Sequence, residues 1–279
     1  MRIQLTIAAI VAWLMPAAVL ADDETPPVVN GQTYVQHQIM AAKARHSEIA
    51  AITVIGKREK GDGMLVLGST AHRASVMTAV ATPAVDGVAG STMREAFNSS
   101  SGHRLGTIEI IFKGTANAVT AKAVQAELAK ATLSAKNAAD PWPFDPAFGP
   151  DTYAQTLTTK TVAKHPELLV MMIHATPPAG KRNVIIGSNI GRFGKAADED
   201  DLRVIDKGST NLELGGDKDR FETELPLNDA KGHRIGALGL VFPFKAGDDK
   251  EVIHRKSLAI RDEVAPAIPS SAALFARAK

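Results

Sequence analysis

The feature of this sequence that most limits its fold is an internal repeat. Charged, glycine and aromatic positions recur together, and apolar residues face apolar residues between them. The matched positions stand at an offset of 119: Thr33-Tyr34-Val35-Gln36 with Thr152-Tyr153-Ala154-Gln155, His46 with His165, Glu48 with Glu167, Gly61 with Gly180, and Gly68-Ser69 with Gly187-Ser188. The chain therefore carries two copies of one structural unit.

A second repeated block lies further along, where Gly102-His103-Arg104-Leu105-Gly106 matches Gly232-His233-Arg234-Ile235-Gly236. Its offset is 130, so the second copy holds about eleven additional residues between the blocks. An insertion of this kind belongs in a loop, where binding specificity usually diverges. Two copies with so long a period are too few for a solenoid, which indicates a tandem duplication of one domain.

Both copies present the same order of predicted elements. Helical spacing is followed by two short apolar strands, a polar crossover, a strand hairpin around the Gly-His-Arg block and a closing helix. The predicted helices are 33–46, 118–136, 152–164 and 248–264, and the predicted strands are 49–57, 63–69, 167–176, 182–188, 221–227 and 234–244.

Between the copies lies a segment, 137–151, whose four prolines exclude a continuing helix or a central strand. Its aromatic residues Trp142, Phe144 and Phe148 gain much from burial. We therefore expect this linker to pack against one or both domains, and a role of its rings in stacking on a ligand is the alternative.

The first 21 residues have the pattern of an export signal. Arg2 precedes an apolar stretch from Leu5 to Leu14, and Pro16 precedes a small-residue end at Ala21. The pattern predicts cleavage near Ala21, a periplasmic or secreted protein and no membrane insertion after cleavage, because no later run approaches about 20 apolar residues. The predicted domains are then 22–136 and 152–279, joined by the linker.

Composition narrows the classes of function. The chain has no cysteine, so an exported protein of this kind must be stabilised by its apolar core, and 45% of its residues are hydrophobic. The 32 basic and 30 acidic residues nearly cancel and are scattered along the chain. Nothing in this distribution favours nucleic acid or an anionic membrane as a partner.

The order of elements and the late hairpin resemble PAS-like domains, and in an exported chain they resemble the extracellular Cache sensor domains. The hairpin Leu225-Pro226-Leu227-Asn228-Asp229-Ala230-Lys231-Gly232-His233-Arg234-Ile235-Gly236 is the closer match, and the first copy keeps only Gly102, Leu105 and Gly106. The resemblance implies an α+β fold of two tandem domains, each an antiparallel sheet with a leading and a closing helix. It also implies a small-molecule pocket under the crossover, and signalling or ligand capture.

The richest polar segment follows a buried strand of the second copy. It holds three glycines, Gly187, Gly191 and Gly194, which would let the backbone approach a ligand closely. A guanidinium and an ammonium at its opening would suit a carboxylate. The predicted ligand-binding residues are His174, Ser188, Asn189, Arg192 and Lys195. The alternative is a solvated loop in which Arg192 pairs with one of the acidic residues that follow.

The acidic run Asp198-Glu199-Asp200-Asp201 lacks the alternating ligands and central glycine of a calcium loop. Carboxylates are favourable at the start of a helix because they oppose its dipole. We therefore expect this run to open a helix around Leu202.

The eight histidines raise the question of a metal or haem. His46, His165, His103 and His233 occupy repeated positions, which indicates structural roles. His72 and His174 are unique to their copies, yet neither has a second ligand at the spacing of a compact site. We predict neither a metal nor another cofactor, and a haem or metal carrier is a minor alternative.

No nucleophile elbow, zinc-protease motif or phosphate loop is present in the sequence, so we do not expect an enzyme. The sequence predicts an exported binding or sensing protein that holds a small anionic ligand in its second domain. Such a protein would report to a separate membrane receptor or transporter. The alternative is an interaction protein without a ligand, which docks on an envelope partner through the linker around Trp142.

Overall fold

The computed structural model describes residues 32–57, 63–71, 76–80 and 88–278. The predicted signal segment and His72 lie outside these ranges. The helices are α1 (Tyr34–Arg45), α2 (Ala118–Lys130), α3 (Ala135–Ala139), α4 (Tyr153–Lys164), α5 (Glu199–Lys207), α6 (Lys250–Val264) and α7 (Ser271–Leu274). The strands are β1 (Ile49–Lys57), β2 (Met64–Ser69), β3 (Ala79–Val80), β4 (Ser91–Asn98), β5 (Arg104–Phe112), β6 (Val170–Ala175), β7 (Val184–Ser188), β8 (Asn211–Leu214), β9 (Arg220–Asn228) and β10 (Arg234–Pro243).

These strands form two antiparallel sheets. The first has the order β3-β2-β1-β5-β4 and the second has the order β7-β6-β10-β9-β8. In both, the two early strands pair as a hairpin, and the last strand inserts beside the first one. The protein is thus a mixed α+β structure with antiparallel sheets, which is consistent with the PAS-like architecture that the resemblance implied.

Each sheet buries one face under its own helices. Around the first sheet, Ile39 of α1 and Leu128 of α2 pack on Ile52 and Ile110. Around the second, a separate set of apolar residues from α4, the strands and α6 is buried: Leu157, Ile173, Leu240 and Ile260. The apolar periodicity of the sequence therefore translates into two cores, one for each sheet.

The opposite face of the second sheet is covered in part by the first half of the chain. Leu133, which follows α2, packs on that face against a small buried cluster. The cluster consists of Val170, Met172, Ile185, Ile190 and Val241. Burial of this apolar surface holds the two sheets together and leaves the polar remainder of the same face lining a space between them.

The linker aromatics pack as the sequence predicted. The Trp142 ring stacks on His37 with 4.1 Å between ring centroids, and Phe144 lies 5.6 Å from Tyr34. Phe148 contacts Phe275 at the other end of the linker, with 6.2 Å between centroids. The expectation of a packed linker is confirmed, and its two ends contact different halves of the chain.

The predicted helix over 118–136 is wrong as a single element. It ends at Lys130, and a short second helix begins at Ala135. The Thr132 hydroxyl donates to the Leu128 carbonyl at the end of α2, and Ser134 accepts from the Asn137 N–H as the cap of α3. These side-chain bonds satisfy helix-end groups and allow the chain to turn toward the second sheet.

Among the described residues, no helix has the length and apolar character needed to cross a membrane.

Candidate functional site

The main candidate site is a cavity of about 560 Å³ between the two sheets, which we call the inter-sheet cavity. The first half contributes the ends of β1 and β5 and the segment around α3. The second half contributes the free part of the sheet face, the crossover after β7 and the start of α5. The charged and histidine residues around it are Lys57, His103, Arg104, Lys136, Asp140, His174, Arg192, Lys195, Asp198, Asp200, Asp201, Glu213, Asp217, Arg220, Glu222 and Glu224.

Strand alternation places two glutamates in this cavity. Along β9, Phe221 and Leu227 are buried in the core of the second sheet, while Glu222 and Glu224 are only partly buried and line the cavity. Successive side chains of a strand point to opposite faces, so residues two apart share one face. Glu213 of β8 lies directly opposite Glu222 and lines the cavity too.

Helix α5 brings two more carboxylates to the same end. The Asp198 side chain accepts hydrogen bonds from the Asp200 and Asp201 N–H groups, and Asp201 accepts one from the Asp198 N–H. This reciprocal capping box confirms that the acidic run opens a helix. It also fixes Asp201 with its carboxylate 3.4 Å from His174 Nδ1.

His174 is 4% exposed and lines the cavity from β6. Neither of its ring nitrogens makes a hydrogen bond within the described part of the chain, and the buried Nδ1 has only the Asp201 contact. Burial lowers the pKa of His174, while the Asp201 and Asp198 carboxylates oppose this effect. The ring is therefore a mainly neutral imidazole with unused hydrogen-bonding capacity that faces the cavity.

The positive side of the cavity is built around Asp140, a linker residue. Arg192, which is 4% exposed, donates through Nη2 to Asp140 Oδ2, and Lys195 Nζ lies 3.0 Å from the same oxygen. Arg192 Nε is buried and has no acceptor within the described residues. The pairing of Arg192 with one of the acids that follow it is wrong: its partner comes from the preceding linker.

Burial and neighbouring charges shift the pKa values on both sides. Burial, and then the Glu213 and Asp201 carboxylates, raise the pKa of Glu222 to about 7. Burial, and then Asp201 and Glu222, raise the pKa of Glu224 to about 9. Each carboxylate discourages ionisation of its neighbours because like charges repel in a poorly solvated site.

On the positive side, burial and then the Arg192 guanidinium lower the pKa of Lys195 to about 7. The Asp198 and Asp201 carboxylates act in the opposite direction, because nearby anions favour the charged ammonium. Lys195 is thus a partly exposed cation whose charge depends on what else enters the cavity.

The structure brings three of the five predicted site residues together. His174, Arg192 and Lys195 line the inter-sheet cavity, whereas Ser188 and Asn189 are not among its lining residues. The Ser188 hydroxyl accepts from the Ile190 N–H, and the Asn189 side chain bridges the Met171 N–H and the Leu169 carbonyl. These two side chains hold the crossover against β6.

The glycines of the crossover approach other protein segments. A side chain at Gly191 would meet Tyr34 Oη at 2.5 Å, and one at Gly194 would meet the Asp145 carbonyl at 2.2 Å. At both positions φ is positive, 79° and 78°, a conformation that favours glycine. We expected these glycines to let a ligand approach the backbone. In the structure they let the crossover pack closely on α1 and on the linker.

The repeated histidines at the helix ends have corresponding contacts. His46 Nε2 lies 3.6 Å from Glu127 of α2, and His165 Nε2 lies 3.2 Å from Glu263 of α6. In the hairpins, His233 contacts Asp229 of its own turn, but His103 contacts Asp217 of the other sheet. Three of the four therefore make contacts near their own sheet, and His103 connects the two sheets.

No group of three His, Asp or Glu residues in the described ranges is arranged to hold a metal ion. The acidic residues around His174 are close in space but do not converge on one point.

Sequence reasoning missed Asp140, Glu222 and Glu224. Asp140 stands among the linker prolines, where its pairing with a distant arginine leaves no local signal. The glutamates alternate with buried residues along β9, a pattern typical of the solvent side of a sheet. The one available signal was two acids on the same face of a strand, opposite a third acid.

Comparisons with known proteins find similar solved structures but no matching family model or curated protein.

Three solved structures illustrate the distant likenesses. A GAF sensor protein from Burkholderia vietnamiensis is 17% identical with a TM-score of 0.31, and the match covers 43% of this chain and 76% of that one. The Agobacterium tumefaciens repressor BlcR is 7% identical with a TM-score of 0.31, covering 42% and 67%. The inducer-binding domain of PobR from Acinetobacter, in complex with 3-hydroxybenzoic acid, is 12% identical with a TM-score of 0.30, covering 42% and 96%.

Proposed function

We propose that this protein binds or senses a small molecule in the inter-sheet cavity. The observation that carries the proposal is a pair of buried atoms in its wall that have no hydrogen bond within the described residues: Nδ1 of His174 and Nε of Arg192. Buried polar groups are nearly always hydrogen-bonded, and each unsatisfied one costs about 1–3 kcal/mol. A ligand with matching donors and acceptors would satisfy both groups.

An anionic group of the ligand belongs at the positive side of the cavity. Arg192 and Lys195 share the single carboxylate of Asp140, so two cations face one anion. The Arg192 Nε–H still lacks an acceptor. A ligand carboxylate at this point would accept from Nε and restore charge balance, which supports the small carboxylate-type ligand expected from the sequence.

We further propose that each sheet with its helices is one domain of a tandem Cache-like pair. The N-terminal sequence supports export to the periplasm, and a separate membrane receptor or transporter would then receive the signal or the ligand.

Native mass spectrometry of the protein purified without added ligand tests the binding function. An excess mass that disappears on denaturation is expected, and a carboxylate identified in this way should raise the melting temperature on addition to ligand-free protein. If the mass is bare and no carboxylate shifts the melting temperature, the proposed function is wrong.

The positive side is tested with Lys195→Met, because Lys195 is partly exposed and its loss leaves the Arg192–Asp140 pair intact. We expect carboxylate affinity to fall at least about tenfold, equivalent to about 1.4 kcal/mol. Lys160→Met on the exposed side of α4 is the matched control and should leave affinity unchanged. Equal affinity of the two variants would remove Lys195 from the site.

A groove beside the linker favours the second candidate, an interaction protein. It has a volume of about 510 Å³, and Tyr34, Trp142, Phe148 and Phe193 are among its lining residues. Aromatic surface of this kind is common at protein interfaces. If docking is the function, Trp142→Ala abolishes binding to the envelope partner, and no small molecule copurifies with the protein.

A further inference from the structure

The acidic end of the inter-sheet cavity has several carboxyl groups that no lysine or arginine of the described residues pairs with. Five carboxylates, which we call the acidic cluster, line the same side of the cavity: Asp198, Asp201, Glu213, Glu222 and Glu224. Glu213 and Glu222 are directly opposite each other on neighbouring strands. Like charges in this arrangement destabilise a sheet, so the cluster costs folding free energy in the unliganded protein.

The neighbouring cations are occupied elsewhere. Arg203 pairs with Asp200, and Arg220 pairs with Asp217 and Asp219. Arg192 and Lys195 both contact Asp140. Within the described ranges, none of the five carboxylates of the acidic cluster has an ion pair with lysine or arginine.

His174 adds an independent observation that points to a ligand. It is more than nine-tenths buried, borders the acidic cluster and has no hydrogen bond within the described residues. With its Nδ1–H turned toward Asp201, 3.4 Å away, the neutral ring leaves Nε2 as an acceptor. An acceptor beside several carboxylates suits a ligand that carries N–H donors and a positive charge.

We propose that the acidic end of the cavity is a subsite for a protonated organic amine, held by Glu222 and Glu224 with His174 accepting a hydrogen bond. The proposal rests on the proposed function, because the amine would occupy the same cavity as the carboxylate group. An ammonium provides up to three donors, matching these acceptors. An organic cation is favoured over a metal ion, since the described residues hold no three-ligand group.

Amine binding should release protons. The pKa of Glu224 is raised to about 9 by burial and then by Asp201 and Glu222, so this group is mainly protonated at neutral pH. A bound ammonium favours the carboxylate form and lowers that pKa. Asp198 at the N-cap of α5, Asp201 of α5 and Glu222 of β9 act directly on Glu224. The charged and titratable groups around these neighbours are Glu213 of β8, Arg220 of β9, His174 of β6, and Arg192 and Lys195 of the crossover.

The test is isothermal titration calorimetry of the full chain with three probes that share one carbon chain: 1,4-diaminobutane, 4-aminobutanoate and succinate. The two amines are expected to bind at millimolar concentration or better. The apparent enthalpy of binding should change with the ionisation enthalpy of the buffer by an amount that corresponds to proton release.

The Glu222→Gln/Glu224→Gln double variant tests the location. Its amides keep the shape of the protonated carboxyl groups, so we expect the fold to be retained. The melting temperature of the variant checks this expectation. We expect diamine affinity to fall at least about tenfold and the proton release to disappear, while succinate binding stays the same. Glu251→Gln, an exposed change on α6 at the other face of the sheet, is the control and should alter neither.

The possible outcomes separate the two proposals. Succinate binding without amine binding overturns the amine subsite and leaves the proposed function standing. Amine binding that is equally strong in the double variant also overturns the subsite. Binding of none of the three probes counts against both, and binding of calcium or zinc in place of the amines shows that the acidic end is a metal site instead.

Discussion

At the scale of single residues, Glu222 and Glu224 are acids held where their protonated forms are favoured. Their pKa values are raised to about 7 and about 9 from an ordinary 4.5, first by burial and then by neighbouring carboxylates. Above about pH 4.5 the unfolded chain has released these protons, whereas the native state keeps them. The native state then binds more protons, so the free energy of unfolding falls as the pH rises from about 4.5 to about 9.

Replacing Glu224 by glutamine should remove part of this decline. The amide has the shape of the protonated acid and does not titrate. We expect Glu224→Gln to be more stable than the unsubstituted protein at mildly alkaline pH by about 1 kcal/mol, or roughly 2–4 °C in melting temperature. Near pH 4.5 the two should be equal.

Thermal unfolding of the ligand-free protein across this pH range is the measurement. The exposed change Glu251→Gln should follow the unsubstituted protein throughout. If the difference in melting temperature between Glu224→Gln and the unsubstituted protein is the same at every pH, Glu224 has an ordinary pKa and its carboxyl group is not destabilised by its neighbours.

The residues of the site could be predicted only where local sequence marks them. Arg192 and Lys195 follow a buried strand in a glycine-rich crossover, and His174 replaces an apolar residue of the first copy, so each is locally unusual. Asp140 is different, because its role depends on Arg192, which lies 52 positions further along the sequence. Long-range electrostatic partners of this kind leave no periodic signal.

At the scale of secondary-structure elements, the repeated Thr-Tyr-x-Gln and Gly-Ser motifs lock a helix to a strand. Thr33 accepts from the Gln36 N–H as the cap of α1 and donates to the Leu67 carbonyl, 2.6 Å away. Gln36 in turn accepts from the Ser69 N–H. Gly68 makes room, because a side chain there would lie 3.1 Å from the Gln36 nitrogen.

The second copy repeats the arrangement. Thr152 accepts from the Gln155 N–H and donates to the Ile186 carbonyl, 2.9 Å away. Gln155 accepts from the Ser188 N–H. The identities seen in the sequence at an offset of 119 are therefore the hydrogen-bonding residues of one helix–strand junction used twice.

Thr33→Val tests this junction. Valine keeps the branched shape but loses the cap and leaves the Leu67 carbonyl without its donor, so we expect a loss of about 1–3 kcal/mol in the free energy of unfolding. Thr152→Val should cost less, since Thr152 is only partly buried. Urea unfolding measures both, with the exposed Thr210→Val as the control. A loss below about 0.5 kcal/mol for Thr33→Val would contradict the lock.

Element types were predictable where the apolar pattern is strong. Strands β1, β6 and β10 are buried runs, and the helices α1, α4 and α6 begin at capping residues that the sequence displays. The end of α2 was not predictable, because Ala131, Leu133 and Ala135 have high helical propensity and continue the pattern of the helix. Tertiary contacts decide there: Leu133 is drawn into the buried cluster on the second sheet.

At the scale of the whole molecule, a few polar contacts determine how the two sheets face each other. The Tyr34 hydroxyl donates to the Ile190 carbonyl at 2.5 Å, and Ser101 donates to Asp219. Asp140 joins the linker to Arg192 and Lys195. The sequence repeat could not predict this arrangement, because matched residues have different partners in the two copies. Tyr34 donates to the second half of the chain, whereas its counterpart Tyr153 donates to the Ala267 carbonyl of its own half.

Asp140 is the residue on which this arrangement depends most. It is 8% exposed and is the carboxylate partner of two cations, one of them the buried Arg192. Asp140→Asn would leave a guanidinium and an ammonium side by side with no anion between them. Removing one partner of a buried ion pair costs about 3–5 kcal/mol, because the remaining charge is uncompensated.

The decisive comparison is a double-mutant cycle with Arg192→Met, measured by urea unfolding. If the cost of Asp140→Asn comes from stranded positive charge, the double variant should be less destabilised than the sum of the single changes by more than about 1 kcal/mol. Glu127→Gln, which weakens the surface contacts of Glu127 with Arg45 and His46, is the control and should cost less than about 1 kcal/mol. Strict additivity of the two buried changes would mean that Asp140 and Arg192 stabilise the protein independently, and the linker would then lose its role in orienting the two sheets.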